Sequence, residues 1–289
     1  MQTGQFPSNT PLSTETLPQR LMQRVVSLRI WSAITIAAFS HVAAATLGCS
    51  GSPLTLMLFF CATLFVYNLD SALDGNTDTS SIAGNRTMAM LGLLFFLIAF
   101  IRTSAPLRVL CAFSIPLAIG TLYALPIPLP HRQRFRLKDI PGMKAFIAGG
   151  AITVAVTGLP LALASPPHIC RLLTCGAALF TFAFVNVVLC DFKDMKSDRE
   201  RGVKTLPILF GPGGTRVLLT ALSCGTTLLL AEVDLLTVHA VPALLYALPL
   251  LSILLTLCAH VRRPDRWYSL WVEGSIVPLG LLCALGTGA

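Results

Sequence analysis

The sequence predicts an all-α polytopic transmembrane bundle of about nine helices, with a cytoplasmic polar cap over a central cavity. Three observations carry that expectation. Of the 289 residues, 54% are hydrophobic and only 12% are charged, roughly half the charged share of an ordinary soluble domain. Apolar runs recur that are long enough to cross a bilayer, which takes roughly 20 residues per helix. These runs are rich in Leu, Ala, Phe and Val without sustained alternation, which favours helices over a barrel.

The elements follow in order. The polar stretch 1–22 carries Pro and Thr and has no apolar core of a cleaved leader. A flexible cytoplasmic tail is therefore expected over 1–24, ahead of a single membrane domain over 25–289. Apolar spans are expected near 28–48, 52–69, 88–101, 106–125, 145–164, 171–190, 215–233, 240–260 and 267–287. The loops between them are unequal. Gly48–Pro53, Arg102–Ala105, Ser165–Cys170 and Asp234–His239 are short, whereas 70–87, 126–144 and 191–214 are long and polar. Long loops in a compact protein are usually functional or disordered, and these hold eight of the 13 acids.

Charge placement sets the expected topology. The formal charge is +8 with 21 Lys and Arg residues, and only Arg102, Arg108 and Arg171 fall in or beside the short loops. The rest lie in the tail (Arg20, Arg24, Arg29) or in the loops after helices two, four, six and eight. That is the positive-inside pattern, with the N-terminus cytoplasmic and the C-terminus outside, as in a cell (inner) membrane. The basic balance is therefore a matter of topology, and no nucleic-acid partner is expected. Of the nine cysteines, most sit in apolar runs, where Cys behaves as a small hydrophobe. None forms a CxxC pair, so no zinc site is expected.

Two of the long loops resemble each other. Helix two runs into Asp70-Ser71-Ala72-Leu73-Asp74-Gly75-Asn76-Thr77-Asp78, and helix six into Asp191-Phe192-Lys193-Asp194-Met195-Lys196-Ser197-Asp198. Four helices separate them, which suggests two four-helix pseudo-repeats plus a last helix. If helix two continues past the bilayer, Asp70, Asp74 and Asp78 stack at i, i+4, i+8 on one face. Like charges at a helix C-terminus need compensation. Oxygen-only ligands suit Mg²⁺, which takes one or two carboxylates plus substrate phosphates. Solvated loop acids are the bland alternative, and two matching clusters weigh against it.

The second cluster continues through Arg199, Glu200, Arg201 and Lys204. Acids for a divalent ion beside cations such as Lys193 and Lys204 for anionic oxygens are what a metal–diphosphate requires. Lys138, Lys144 and Arg86 are further ligand candidates, whereas Arg132 and Arg134 read as membrane anchors. Among polar residues inside spans, Asn186 sits one turn below Asp191 and is placed to orient the site. Glu273 either accepts a hydrogen bond from an acceptor or a loop, or pairs with Arg266 or another helix. His41 reads as a packing residue. Tyr67 and Tyr123 are placed to flank a cation by cation–π contact or to form an interfacial belt.

Together these segments resemble the UbiA superfamily of intramembrane prenyltransferases, whose acidic motifs have the form NDxxDxxxD and DxxxD. Asp194 and Asp198 match the second motif, with Asp191 ahead of them, and Asp74 and Asp78 match the later acids of the first. Tyr67-Asn68-Leu69-Asp70, the stretch Arg-Leu-Lys-Asp-Ile-Pro-Gly-Met-Lys (136–144) and Gly202-x-x-Thr-Leu-Pro are also similar. The resemblance spans about 25–280. It departs at Asp70 and Ser71, which stand where the family has Asn and Asp.

The resemblance implies Mg²⁺ held by Asp70, Asp74, Asp78, Asp191, Asp194 and Asp198. It implies substrate contacts from Asn68, Arg86, Lys138, Lys144, Lys193, Lys204, Asn186 and Tyr123. The implied reaction is transfer of a prenyl group from a polyprenyl diphosphate to a lipophilic, often aromatic, acceptor within membrane lipid. A membrane terpene cyclase is the near alternative. A cation transporter is the distant one, since transporters place ion ligands near the bilayer midplane on broken helices.

Overall fold

The computed structural model describes residues 24–49, 51–74, 79–125, 127–129, 132–135, 140–163, 169–236 and 241–286. The chain is a helical bundle: α1 (Ile30–Leu47), α2 (Pro53–Asp74), α3 (Thr79–Ile101), α4 (Pro106–Ala124), α5 (Lys144–Leu163), α6 (Ile169–Glu200), α7 (Leu206–Leu236) and α8 (Ala243–Cys258). The last helical segment, α9, begins at Asp265. It passes through a π turn at Tyr268–Val272 and a 3₁₀ turn at Glu273–Ile276, and ends as α-helix at Val277–Gly286. Among the described residues, eight helices are long and apolar enough to cross a membrane, and Ala243–Cys258 is shorter.

Inside a bilayer every backbone polar group must be satisfied within the protein, which long helices achieve. The packing follows from which faces can approach. Helix α1 packs on α2, α5, α6 and α9, and α6 packs on α5, α7 and α8. These two, α1 and α6, are the most enclosed spans. Gly92 lets α3 lie against α2, since a Cβ there would meet Phe65 N at 2.8 Å. Gly280 does the same for α9 against α1, meeting Ala38 Cβ at 2.8 Å. Small residues at such contacts are the usual means of close packing in membranes. Aromatic pairs fill the centre, with Phe39 and Phe182 centroids 5.4 Å apart and Phe59 and Phe113 5.0 Å apart. Leu94, Ile98 and Ile101 on α3 are exposed, as a lipid-facing stripe requires.

Three helices run well beyond the sequence reading, while the first and eighth are slightly shorter than expected. The third span, expected at 88–101, starts at Thr79, and the sixth, expected at 171–190, runs from Ile169 to Glu200. The seventh starts at Leu206, ahead of its expected 215. Two of the three long loops shrink accordingly, and 201–205 is all that separates α6 from α7. Hydropathy marks only the part of a helix that meets lipid, and these helices continue as polar helix beyond it. The loop 126–144 contains a short antiparallel pair, β1 (Ile127–Leu129) and β2 (Arg132–Phe135). Pro128 sits inside β1, which a two-stranded ribbon with free edges tolerates.

Candidate active site

Helix α6 carries the second acidic cluster. Asp191, Asp194 and Asp198 stand at i, i+3 and i+7, so one face of the helix presents all three. The three line a single cavity of about 540 Å³. Asp191 and Asp198 are buried, and Lys144, the first residue of α5, sits between them. Its Nζ lies 2.6 Å from Asp191 Oδ1 and 3.3 Å from Asp198 Oδ2. Arg201 Nη2 donates to the other oxygen of Asp198 at 2.9 Å. The second oxygen of Asp191, Oδ2, is buried with no hydrogen-bond partner among the described residues.

Local turns set this geometry. Helix α6 ends in a Schellman motif: Val203 N–H donates to Asp198 O at 2.8 Å and Gly202 N–H to Arg199 O at 3.1 Å. The motif needs a left-handed residue just past the helix, which is Gly202 at φ 73. Gly142, at φ 70, donates its N–H to Lys204 O at 2.7 Å. That bond ties the start of α5 to the α6–α7 connection and so fixes Lys144 against the acids.

Other helix ends complete the mouth of the cavity. Asp70 on α2, Tyr67, Tyr123 at the end of α4, Lys193 and Arg29 all line it. Arg29 has a left-handed backbone at φ 58, uncommon for a residue with a side chain. Its Nε donates to Ser71 Oγ at 3.1 Å. Glu273 enters from α9. It accepts from Ser32 Oγ at 3.0 Å, and Lys193 Nζ lies 3.6 Å from it. The π turn before Glu273 widens the helix and frees carbonyls, which side chains of other helices satisfy. Asn186 Nδ2 donates to Val272 O at 2.9 Å, and Trp31 Nε1 donates to Ser269 O at 2.7 Å. Deeper in, the walls are apolar and aromatic: Phe39, Phe59, Phe113, Phe182, Leu117 and Ile152. Pro116 also lines this part, inside α4, where its missing N–H opens the helix ladder.

The structure therefore gathers Asp70, Asp191, Asp194, Asp198, Lys144, Lys193, Asn186 and Tyr123 around one cavity. Asp74 ends α2, while Asp78 and Lys138 lie outside the described residues, as does the side chain of Asp74. Three expected substrate contacts stand elsewhere. Asn68 is buried away from the cavity, its Nδ2 donating to Leu28 O at 3.0 Å and Leu64 O at 2.9 Å, a tie between the entry to α1 and α2. Arg86 is exposed on α3, and Lys204 is exposed with its carbonyl held by Gly142. Sequence proximity to an acidic motif says nothing of which helix face a residue occupies.

Glu273 pairs with Lys193 rather than Arg266. His41 is buried against Gly51, and neither ring nitrogen has a hydrogen-bond partner among the described residues. Arg29 and Arg201 were not singled out from the sequence. Arg201 had a signal, three residues after Asp198 on a helix, whereas Arg29 read as part of a basic tail. Among the described residues, no group of three His, Cys, Asp or Glu side chains is already drawn together as a metal cage. Lys144 and Arg201 occupy the carboxylates instead.

A sequence profile of the UbiA prenyltransferase family matches residues 80–270. The chain belongs to that family. With eight spanning-length helices, this UbiA family member is a multi-pass membrane protein. Its fold matches solved structures. A UbiA homolog from Archaeoglobus fulgidus bound to Cd²⁺ aligns with TM-score 0.59 at 19% identity, over 89% of this chain and 98% of the other. The same homolog bound to GPP and Mg²⁺ aligns at 0.58 and 18%, over 89% and 98%. The apo UbiA homolog from Aeropyrum pernix K1 gives 0.59 and 18%, over 89% and 99%. Among curated proteins none matches the sequence.

Proposed function

We propose that this UbiA family member transfers a prenyl group from a polyprenyl diphosphate to a lipophilic, aromatic acceptor, with Mg²⁺ as cofactor. One observation carries the reading: a single cavity joins a mouth of carboxylates and cations to an aromatic, apolar interior. A molecule with a charged head and a hydrocarbon tail fits that division. The Archaeoglobus fulgidus homolog, with GPP and Mg²⁺ bound, supports it.

The donor set fits a hard divalent cation. It is made of carboxylate oxygens, and Asp191 Oδ2 is buried without a partner among the described residues. Asp191, Asp194 and Asp198 would hold Mg²⁺ on the α6 side, with Asp70, Asp74 and Asp78 on the α2 side. When bound, Mg²⁺ supplies positive charge against the departing diphosphate.

The chain's own groups do the rest. Lys144, Lys193, Arg201 and Arg29 bind phosphate oxygens and orient the head group at the mouth. The apolar walls hold the isoprenoid tail and exclude water from the carbon that loses its leaving group. Tyr67 and Tyr123 stand at the junction of the two zones, where an aromatic face stabilises allylic positive charge. Glu273, already accepting from Ser32, is placed to accept a proton from an acceptor hydroxyl or ring. The acid-bearing helix ends are assigned to the cytoplasmic side and form a polar cap over the single membrane domain.

The test is turnover by purified protein of radiolabelled prenyl diphosphates of several lengths, with and without aromatic acceptors. Acceptor-dependent prenylation that EDTA abolishes and Mg²⁺ restores is the expected result. Product formed without any acceptor replaces transfer by cyclisation, and full turnover in metal-free buffer overturns the metal's role.

A further inference from the structure

A second concavity lies away from the cavity, between α7 and the turn that follows α8. Arg216, His260, Arg262, Arg263, Leu257 and Cys258 line it. We propose that it is a binding site for an anionic phosphate group, as carried by the headgroup of an acidic phospholipid.

The site is built rather than incidental. Helix α7 breaks at Gly211 (φ 69, ψ 165) and restarts at Pro212, which sets Arg216 one turn into the new segment. Thr215 Oγ1 locks the break, donating to Gly211 O at 2.8 Å and Leu206 O at 3.2 Å. On the other side, Arg263 N–H donates to His260 O at 2.8 Å, and Tyr268 Oη–H donates to the same oxygen at 2.9 Å. Arg262 N–H donates to His260 Nδ1 at 3.2 Å. With Nδ1 accepting, the ring proton sits on Nε2, where it is free to donate. The Arg263 guanidinium lies 5.4 Å from the Trp267 ring centroid, which holds it over the turn.

Membrane anchoring alone does not account for this cluster. An anchoring arginine extends its head into water or lipid headgroups. Arg216 instead has its Nε buried and without a hydrogen-bond partner among the described residues. Three arginines line one concavity. Among the described residues, no ion pair joins Arg216, Arg262 or Arg263 to an acid. Asp265, exposed two residues beyond Arg263, is the nearest acid in sequence. An external phosphate matches the fork geometry of the guanidinium groups.

The surroundings point to a lipid as its source. Leu250, Leu254 and Leu257 follow one face of α8 up to the concavity, exposed by 53%, 56% and 66%. An acyl chain lies along such a face while its headgroup meets the cations, and basic pockets between spanning helices are known sites for anionic headgroups.

The experiment measures binding to the full chain in neutral detergent by native mass spectrometry, with phosphatidylglycerol against phosphatidylcholine. A separate arm measures the melting temperature with inorganic phosphate. Wild type is expected to favour phosphatidylglycerol roughly tenfold. Arg216→Gln is expected to lose the preference, and Arg266→Gln, which removes an exposed charge beside the site, to keep it. Recovery in Arg216→Lys shows that loss in Arg216→Gln is not misfolding. A phosphate-induced stabilisation present in wild type and absent in Arg216→Gln, without lipid preference, makes the source a free phosphate and leaves the anion site standing. Equal preference in wild type and Arg216→Gln overturns the site, as does an absence of both responses in wild type.

Discussion

Lys144 stands where its charge is least welcome by local rules. It opens α5, and the positive end of a helix macrodipole repels a cation. Asp191 and Asp198 reverse that balance, and both are buried, so the three residues stabilise one another or none. Removing one partner of a buried ion pair costs about 3–5 kcal/mol, because a charge is left unpaired. Lys144→Met should therefore lower the melting temperature markedly, and adding Asp198→Asn should recover part of the loss. A melting curve unchanged by Lys144→Met would mean that the acids do not depend on it. The acids themselves are tested by Asp191→Asn and Asp194→Asn, which keep volume and one oxygen while removing charge. Each is expected to cut turnover by roughly 10²–10³, the usual cost of one lost electrostatic stabiliser, while Arg132→Ala stays near wild type. Turnover like wild type in both acid variants would remove the metal site from the mechanism. The three α6 acids were legible from the repeated D-x3-D frame at the end of an apolar span, although the sequence reading set them in a loop and not on the helix that aligns them. The Lys193–Glu273 pair and Arg29 at the cavity mouth were not, since only tertiary packing brings α9 and the entry to α1 beside α6 and α2.

Helices were legible by their apolar lengths, and their polar extensions were not. The ten residues 191–200 are all helical, yet hydropathy sees there only the end of a span. The signal that does mark the true end of α6 is Gly202, which the Schellman turn requires. No atom lies within 4 Å of a Cβ built at that position, so replacement meets no clash. Only the left-handed backbone opposes a side chain, at roughly 1–2 kcal/mol. Gly202→Ala is expected to destabilise the protein by about that amount in thermal denaturation, and Gly202→Asn by less, since Asn tolerates this region. Equal stability of Gly202→Ala and wild type would show that the turn does not hold the end of α6. The π turn in α9 had no mark in the sequence, because one widened turn leaves the apolar pattern intact. Its carbonyls are satisfied by Asn186 and Trp31 from distant helices, so the turn is a property of the assembled bundle.

Across the whole bundle the charges largely separate by end, and one of the three exceptions has a local explanation. The ends of α2, α4 and α6 and the starts of α1 and α5 carry Asp70, Tyr123, Asp191, Arg29 and Lys144 to one side of the molecule. Arg171, one of three cations expected at the opposite end, is used structurally. Its Nε donates to Thr46 O at 2.9 Å, and its guanidinium lies beside Gly48, where α1 ends. A cation there meets the free carbonyls at the negative end of a helix, so it does not count against the positive-inside pattern. That pattern predicts a cytoplasmic place for the acid-bearing end. The prediction is read with a membrane-impermeant thiol reagent on intact cells, using variants that keep one cysteine each. Cys170, exposed at the start of α6, should be labelled from outside. Arg199→Cys, exposed at the other end of the same helix, should be labelled only after the membrane is opened. Because one helix carries both reporters, they must fall on opposite sides if α6 spans the bilayer. Labelling of Arg199→Cys from outside with Cys170 protected would invert the protein. Labelling of both from outside would mean that α6 does not cross at all.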